Sequence, residues 1–227
     1  MDIYLARHGT TDWNSLHLIQ GRTDILLDDN GTAMAAQSGE YFRSHDIVFD
    51  RVFSSPLKRA YETARLLAGD SASVITDNRL TELCFGSFEG RNVSEMQADA
   101  GCPFRFFKSD PFRYNQEVLP LAATESLDAL LAKTADFINE VIVPLLRSNN
   151  IKNVLICGHG ALNRALIMNF KGIRDLHEFW GKGLQPNCGI NKISCTYNAS
   201  GEVIYDVQDE SLILYDPEIL SKTTALL

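Results

Sequence analysis

The 227-residue chain has no apolar run long enough to cross a membrane. Its first residues also lack the basic, then apolar, then small-residue order of a secretory signal. No membrane partner is therefore expected, and the expected location is the cytoplasm. No CxxC pair occurs among Cys84, Cys102, Cys157, Cys188 and Cys195, and an odd number leaves one thiol over in any full pairing. Reduced thiols are the simplest account, and Asn198-Ala199-Ser200 reads as turn chemistry rather than a glycosylation acceptor. The five histidines include no i, i+4 pair, so nothing asks for a metal. Positive charge is scarce as well. With 21 Lys and Arg against 29 Asp and Glu the net charge is −8, which argues against a general affinity for nucleic acid or anionic lipid. An anionic substrate must then meet a local cluster of cations. Repeats, low-complexity tracts and linkers are missing, so one domain over residues 1–227 is expected. Nothing in the sequence bears on the oligomeric state.

What remains is an ordinary core-forming composition, 45% hydrophobic and 22% charged. Apolar runs bounded by turn residues predict strands over 2–7, 51–54, 73–76, 153–157, 190–197 and 203–207. The last two flank Asn-Ala-Ser-Gly and read as an antiparallel hairpin. Helical periodicity predicts helices over 31–44, 56–68, 126–142 and 161–170. Ser55 is expected to cap the second of these with Pro56 at its first position. Thr124 or Ser126 is expected to cap the third, and Pro144 to kink or stop it. Strand–helix alternation implies an α/β fold, a three-layer α/β/α arrangement with a mostly parallel central sheet and the C-terminal antiparallel hairpin. Residues 85–125, rich in Phe, Gly, Pro and charge without clear period, read as an excursion over the active-site end. Its phenylalanines are expected to pack the excursion down rather than to form a lid.

In open α/β sheets ligands bind beyond the carboxyl ends of the strands. Three strands here end in unusual chemistry. The first ends in Arg7-His8-Gly9, the second leads to Arg59 in the first turn of the next helix, and the fourth ends in Gly158-His159-Gly160. Together they put two imidazoles and two guanidiniums on one sheet edge, beside small residues that permit close backbone approach. Such a site suits a phosphoryl group: guanidiniums make paired charge-assisted bonds and a helix N-terminus adds N–H donors. A neutral imidazole can attack phosphorus if its other nitrogen is oriented by an acceptor. A second imidazole, if protonated, can stabilise the transferring charge. The leaving alkoxide needs a proton, and Glu82 in LTELCFGSFEG is the best donor, with Glu89 and Asp12 as competitors. Gly9 reads as room for the phosphate.

Five stretches, RHGTTDWN, GRTDILLDDNG, SSPLKRAYETA, TELCFGSFEG and CGHGALNRALI, resemble in order and spacing the histidine phosphatase superfamily, the phosphoglycerate-mutase-like proteins. The likeness covers roughly residues 3–170 and continues more weakly in NCGI. It implies a phosphohistidine at His8, phosphate clamping by Arg7, Arg59 and His159 beside Gly160, and Glu82 as proton donor. It further implies that Asn14 binds phosphate or orients the site and that Gln20 and Gly21 line the pocket. It implies no metal or organic cofactor. Two departures stand out. Many family phosphatases carry Pro-x-Gly-Gly-Glu-Ser before the long helix, whereas this chain has Ala123 and Thr124 before Glu125 and Ser126, which predicts a stiffer loop. The glycolytic mutases carry an arginine-rich insertion, whereas residues 91–125 hold only Arg91, Arg105, Lys108 and Arg113 as cations. The expected activity is therefore hydrolysis of a small soluble phosphate ester. A phosphoglycerate-type mutase is the alternative, and an inactive phosphate-ester-binding regulatory module a third reading.

Overall fold

The structure, a computed structural model, describes residues 1–121, 123–148, 150–216 and 218–219. Ala122 and the last residues of the expected domain lie outside that set. The first strand, β1 (Asp2–Arg7), is buried on both faces. Its alternation sends Ile3 and Leu5 to one apolar cluster and Tyr4 and Ala6 to another, as a strand covered on both sides must. A single turn, α1 (Asp12–Ser15), follows. Next comes α2 (Asp29–Ser44), which starts two residues before its predicted bound because the Asp28 carboxylate accepts the Gly31 N–H at 2.6 Å.

Strand β2 (Arg51–Ser54) leads into α3 (Lys58–Ala68). The expected start of α3 needs correcting. Ser55 and Pro56 stay outside the helix, Leu57 occupies the cap position without a side-chain bond, and the Lys58 N–H is capped instead by Asp24 Oδ1 at 2.8 Å. Ser55 Oγ still accepts the Leu57 N–H at 3.3 Å one residue earlier, and a residue from a distant loop caps the helix proper. After β3 (Val74–Thr76) the excursion contains three short helices, α4 (Val93–Ala98), α5 (Phe106–Ser109) and α6 (Pro111–Val118). Phe85, Phe88, Phe104 and Phe107 are buried in the main core while Phe112 is exposed, so packing accounts for most of these rings. The Trp180 indole N–H donates to the Phe107 carbonyl at 2.5 Å, tying the excursion to the segment after the fourth strand.

Helix α7 (Leu127–Phe137) is capped by Ser126, whose hydroxyl accepts the Ala129 N–H at 3.1 Å. Thr124 instead donates its hydroxyl to the carbonyls of Val118 and Leu121. Pro144 does not stop the helix. A π-helical turn over Ile138–Ile142 precedes α8 (Val143–Arg147), where Pro144 sits within the first turn. The wide turn absorbs the hydrogen bond that proline cannot donate.

Strand β4 (Asn153–Gly158) and helix α9 (Gly160–Lys171) come next, then the hairpin β5 (Ile190–Tyr197) and β6 (Val203–Leu212). Strand β6 is longer than the predicted 203–207, since its pairing with β5 continues to Ile190–Leu212 past a register shift. Asn198 Oδ1 accepts the N–H groups of Ser200 and Glu202, the turn chemistry expected there.

The sheet order is β3-β2-β4-β1-β5-β6. Strands β1 to β4 are mutually parallel and the hairpin is antiparallel. The chain leaves β1, skips one position to β2, moves out to β3, and returns to insert β4 between β2 and β1. Register then decides where the site lies. Arg7 aligns with Gly158 and Ser54 with Cys157, so β1, β2 and β4 end level with one another. Among the described residues no helix is long and apolar enough to cross a membrane.

Candidate active site

His8 leaves β1 at this edge and is 3% exposed. Its backbone N–H donates to the Gly158 carbonyl at 3.1 Å, so the end of β4 fixes its main chain. Its ring Nδ1 lies 2.7 Å from the Gly9 carbonyl. A carbonyl only accepts, so Nδ1 carries the proton and Nε2 keeps a free lone pair. Burial holds the His8 pKa well below the ordinary imidazole value, and the nearby charges of Arg59 and Arg7 push the same way. The ring is therefore neutral at physiological pH.

His159 comes from the end of β4 and is fully buried. Its ring centroid lies 5.2 Å from that of His8. Neither ring nitrogen has a hydrogen-bond partner. Burial, followed by Arg59, His8, Arg7 and Lys133, pushes its pKa well below the ordinary value. A buried imidazole with both nitrogens unpaired is costly, and an anion between the rings would relieve it.

The two guanidiniums are anchored by carbonyls and keep donors in reserve. Arg7 donates from Nη1 to the Gln185 carbonyl at 2.7 Å, and its buried Nε has no partner. Arg59, 1% exposed in the first turn of α3, donates from Nη1 to the Thr23 carbonyl at 2.8 Å and from Nη2 to that of Gly21 at 2.6 Å. Its Nε is likewise buried and unpaired. Burial brings both guanidiniums down to about 10, with Glu82 opposing it; they stay charged at neutral pH.

Glu82 is 8% exposed. Its Oε1 accepts the N–H groups of Leu83 and Leu162, each at 2.9 Å, and its Oε2 accepts that of Ala161 at 3.1 Å. The carboxyl thus caps the N-terminus of α9, one residue beyond the glycine that follows His159. A Cβ built on Gly160 would lie 3.7 Å from Glu82 Oε2, 3.9 Å from Arg7 Nε and 2.7 Å from Leu184 Cδ1. Gly160 therefore separates acid, guanidinium and rim by a single missing methyl group.

The competing acids have other places. Glu89 accepts the N–H groups of Arg22, Thr23 and Phe85 and the Thr23 hydroxyl, which consumes its oxygens in shaping the loop. Asp12 is exposed in the first turn of α1. The Asn14 Oδ1 accepts from the Thr11 N–H and hydroxyl in a capping box, so its carbonyl end shapes the turn after His8. Gln20 is 9% exposed with Oε1 unpaired. Gly21 reaches Arg59 through its carbonyl, and its φ of +54° with Glu89 Oε1 2.1 Å from a built Cβ explains the glycine.

Gly9 requires a correction. A Cβ there would lie 2.5 Å from the Gly31 carbonyl oxygen, so its small size lets α2 approach β1 rather than making room for phosphate. Ala123 takes a left-handed φ of +63°, so the loop keeps a conformation suited to glycine despite the substitution.

Several positioning groups escaped the sequence reading. Thr63 accepts the Gly9 N–H at 3.0 Å and donates to the Arg59 carbonyl at 2.7 Å. Asn187 donates to the carbonyls of His8 and Gly9. Gln185 donates to those of Leu5 and Gly189 and accepts from Asn163. The signal was the polar Gln-Pro-Asn run just before an apolar strand, whose partners other than Gly189 are distant in sequence. Among the described residues no three His, Cys, Asp or Glu side chains gather as a metal set.

The chain is similar to known proteins over most of its length. It is 34% identical over 196 residues to the 2,3-bisphosphoglycerate-dependent phosphoglycerate mutase of Mycobacterium tuberculosis, covering 76% of this chain and 78% of that one. It is 29% identical over 192 residues to a putative phosphoserine phosphatase 2 of Hydrogenobacter thermophilus, covering 84% and 88%. The crystal structure of a phosphoserine phosphatase from Entamoeba histolytica in complex with 3-phosphoglyceric acid superposes with a TM-score of 0.70 at 27% identity, covering 92% and 97%. The family model of the histidine phosphatase superfamily (branch 1) matches residues 3–207, and the chain belongs to that superfamily.

Proposed function

We propose that the protein is a phosphomonoesterase that hydrolyses a small phosphate ester through a phosphohistidine on His8, by chemistry that calls for no metal. The observation that carries this reading is the His8 ring. Its Nδ1–H is committed to the Gly9 carbonyl at 2.7 Å and its Nε2 is left as a neutral nucleophile beside His159. In the first step Nε2 attacks phosphorus in line, the bond from phosphorus to the ester oxygen breaks, and Glu82 gives that oxygen its proton. Oε1 of Glu82 already accepts two N–H groups and Oε2 only one. Oε2 therefore keeps the lone pair that carries the proton toward the leaving group. In the second step water attacks phosphorus, the carboxylate takes the water's proton, and the bond from Nε2 to phosphorus breaks. Arg7, Arg59 and His159 hold the phosphoryl oxygens throughout.

The likeness to mutases favours the second reading, a phosphomutase. Hydrolysis is preferred because the arginines of the excursion have other engagements. Arg91 lies 4.0 Å from Asp99, Arg113 pairs with Glu117 at 2.7 Å, and Arg105 and Arg113 both lie over the Phe106 ring, at 4.5 and 3.8 Å. Incubation with 3-phosphoglycerate and catalytic 2,3-bisphosphoglycerate separates the readings. Phosphate release is expected; rapid formation of 2-phosphoglycerate without it would establish a mutase.

A further inference from the structure

The proposed acid is held in an irregular segment. Residues 81–85 belong to no helix or strand, so no ladder of backbone bonds fixes the main chain that carries Glu82. Charged side chains do so instead: Glu89 accepts the Phe85 N–H at 3.1 Å, and three others converge nearer the acid. Lys133, from α7, donates from Nζ to the Thr81 carbonyl at 2.9 Å. Arg22 donates from Nε to the carbonyl of Glu82 itself at 3.2 Å. Glu125 meets Cys84 twice, donating its N–H to the Cys84 carbonyl at 2.8 Å and accepting the Cys84 N–H on Oε2 at 3.2 Å.

These three side chains also bind one another. The Glu125 carboxylate lies 3.1 Å from Lys133 Nζ and 3.1 Å from Arg22 Nη2. Glu125 and Lys133 are largely buried, with side-chain exposures of 12% and 15%. One anion therefore holds two cations that would otherwise repel, and each cation grips a carbonyl beside or on the acid. Arg22 also lies between Gly21 and Thr23, whose carbonyls anchor Arg59. The same knot thus links the phosphate clamp to the acid.

From this arrangement we infer that Glu125 is a positioning residue for Glu82, with Lys133 and Arg22 as its two arms. The inference rests on the acid role proposed for Glu82. Removing the Glu125 charge leaves the two arms repelling each other and loosens their hold on residues 81–84. A misplacement of about 1 Å in a reacting group costs on the order of 100-fold in rate. A partial loss of proton donation is therefore expected, and it falls on substrates whose leaving group needs the proton.

The test compares Glu125→Gln, Lys133→Met and Glu82→Gln, alone and in pairs, on glycerol phosphate and p-nitrophenyl phosphate. Glu125→Gln should lower kcat/KM on glycerol phosphate roughly 10-fold more than on p-nitrophenyl phosphate, and Lys133→Met should show a smaller excess of the same kind. In the Glu82→Gln background the excess should vanish. Equal losses on both esters, or an excess that persists without Glu82, would overturn the inference. Amide hydrogen exchange supplies a readout independent of turnover. The Ala161 and Leu162 N–H groups, which donate to Glu82, should exchange faster in Glu125→Gln, and unchanged protection would overturn the inference. If the wild-type chain releases no phosphate from any ester, the phosphatase reading fails by itself while the exchange comparison still decides the positioning role.

Discussion

Acidification from about pH 7.5 to 5.5 should destabilise this protein through two side chains, His8 and His159. Both are buried against Arg59 and Arg7, and both have pKa values well below the ordinary imidazole value of about 6.5. In the unfolded chain each imidazole takes up a proton as the pH falls through that value. In the native protein each stays neutral until far lower pH. The unfolded state then binds more protons, so unfolding becomes easier as pH falls. Integration over the interval gives at most about 1.4 kcal/mol per imidazole, or at most about 2.7 kcal/mol for the pair, the limit in which neither native ring takes up a proton. Carboxylates whose pKa is depressed, such as Asp50 and Asp77, contribute stability that is lost only below their unfolded value of about 4. The window above pH 5 therefore excludes them. Urea unfolding in phosphate-free buffers measures the effect, and a His8→Asn, His159→Gln double variant should lose most of the slope. A wild-type stability that stays flat across the window, or a double variant that keeps the full slope, would refute the claim that these rings are held neutral by burial.

Further outcomes follow from single contacts. His8→Ala should abolish the acid-labile phosphoenzyme, seen by rapid quench with labelled substrate; retained turnover would make His8 a bystander. Arg59→Lys should lower kcat/KM on the order of 100-fold, because one ammonium cannot hold the Gly21 and Thr23 carbonyls and a phosphoryl oxygen together. Gly21→Ala should cost about 2–3 kcal/mol in urea unfolding, since its φ is +54° and its new Cβ would meet Glu89 Oε1 at 2.1 Å. Ala123→Gly should stabilise by about 0.5–1 kcal/mol, the relief at φ +63° exceeding the added unfolded-state entropy.

Much of the site was legible because its main residues sit at the ends of recognisable elements. Arg7 and His8 follow an apolar strand, Arg59 lies in the first turn of an amphipathic helix, and His159 stands between glycines at a strand–helix junction. Local pattern also located four parallel strands and the final hairpin. It failed where a distant residue completes a local structure. Asp24 caps α3 where Ser55 was expected to, and the π-helical turn carries the chain past Pro144. The size of Gly9 answers to Gly31, a neighbour that nothing in the adjoining sequence identifies.

Strand and helix periodicities, readable along the chain, place Arg7, His8, Arg59 and His159 at element ends and so name the chemical groups that one sheet edge can collect. Their protonation states and orientations follow from packing. Insertion of β4 between β1 and β2 brings the two imidazoles to 5.2 Å and removes them from water, and that burial among cations keeps both neutral. The Gly9 carbonyl then selects the His8 tautomer, and the amides of α9 hold Glu82 in place. Proton affinity depends on solvent exclusion by elements far apart in the chain and is encoded in no local stretch, whereas the tautomer is set by the carbonyl of the very next residue once the backbone at Gly9 is fixed.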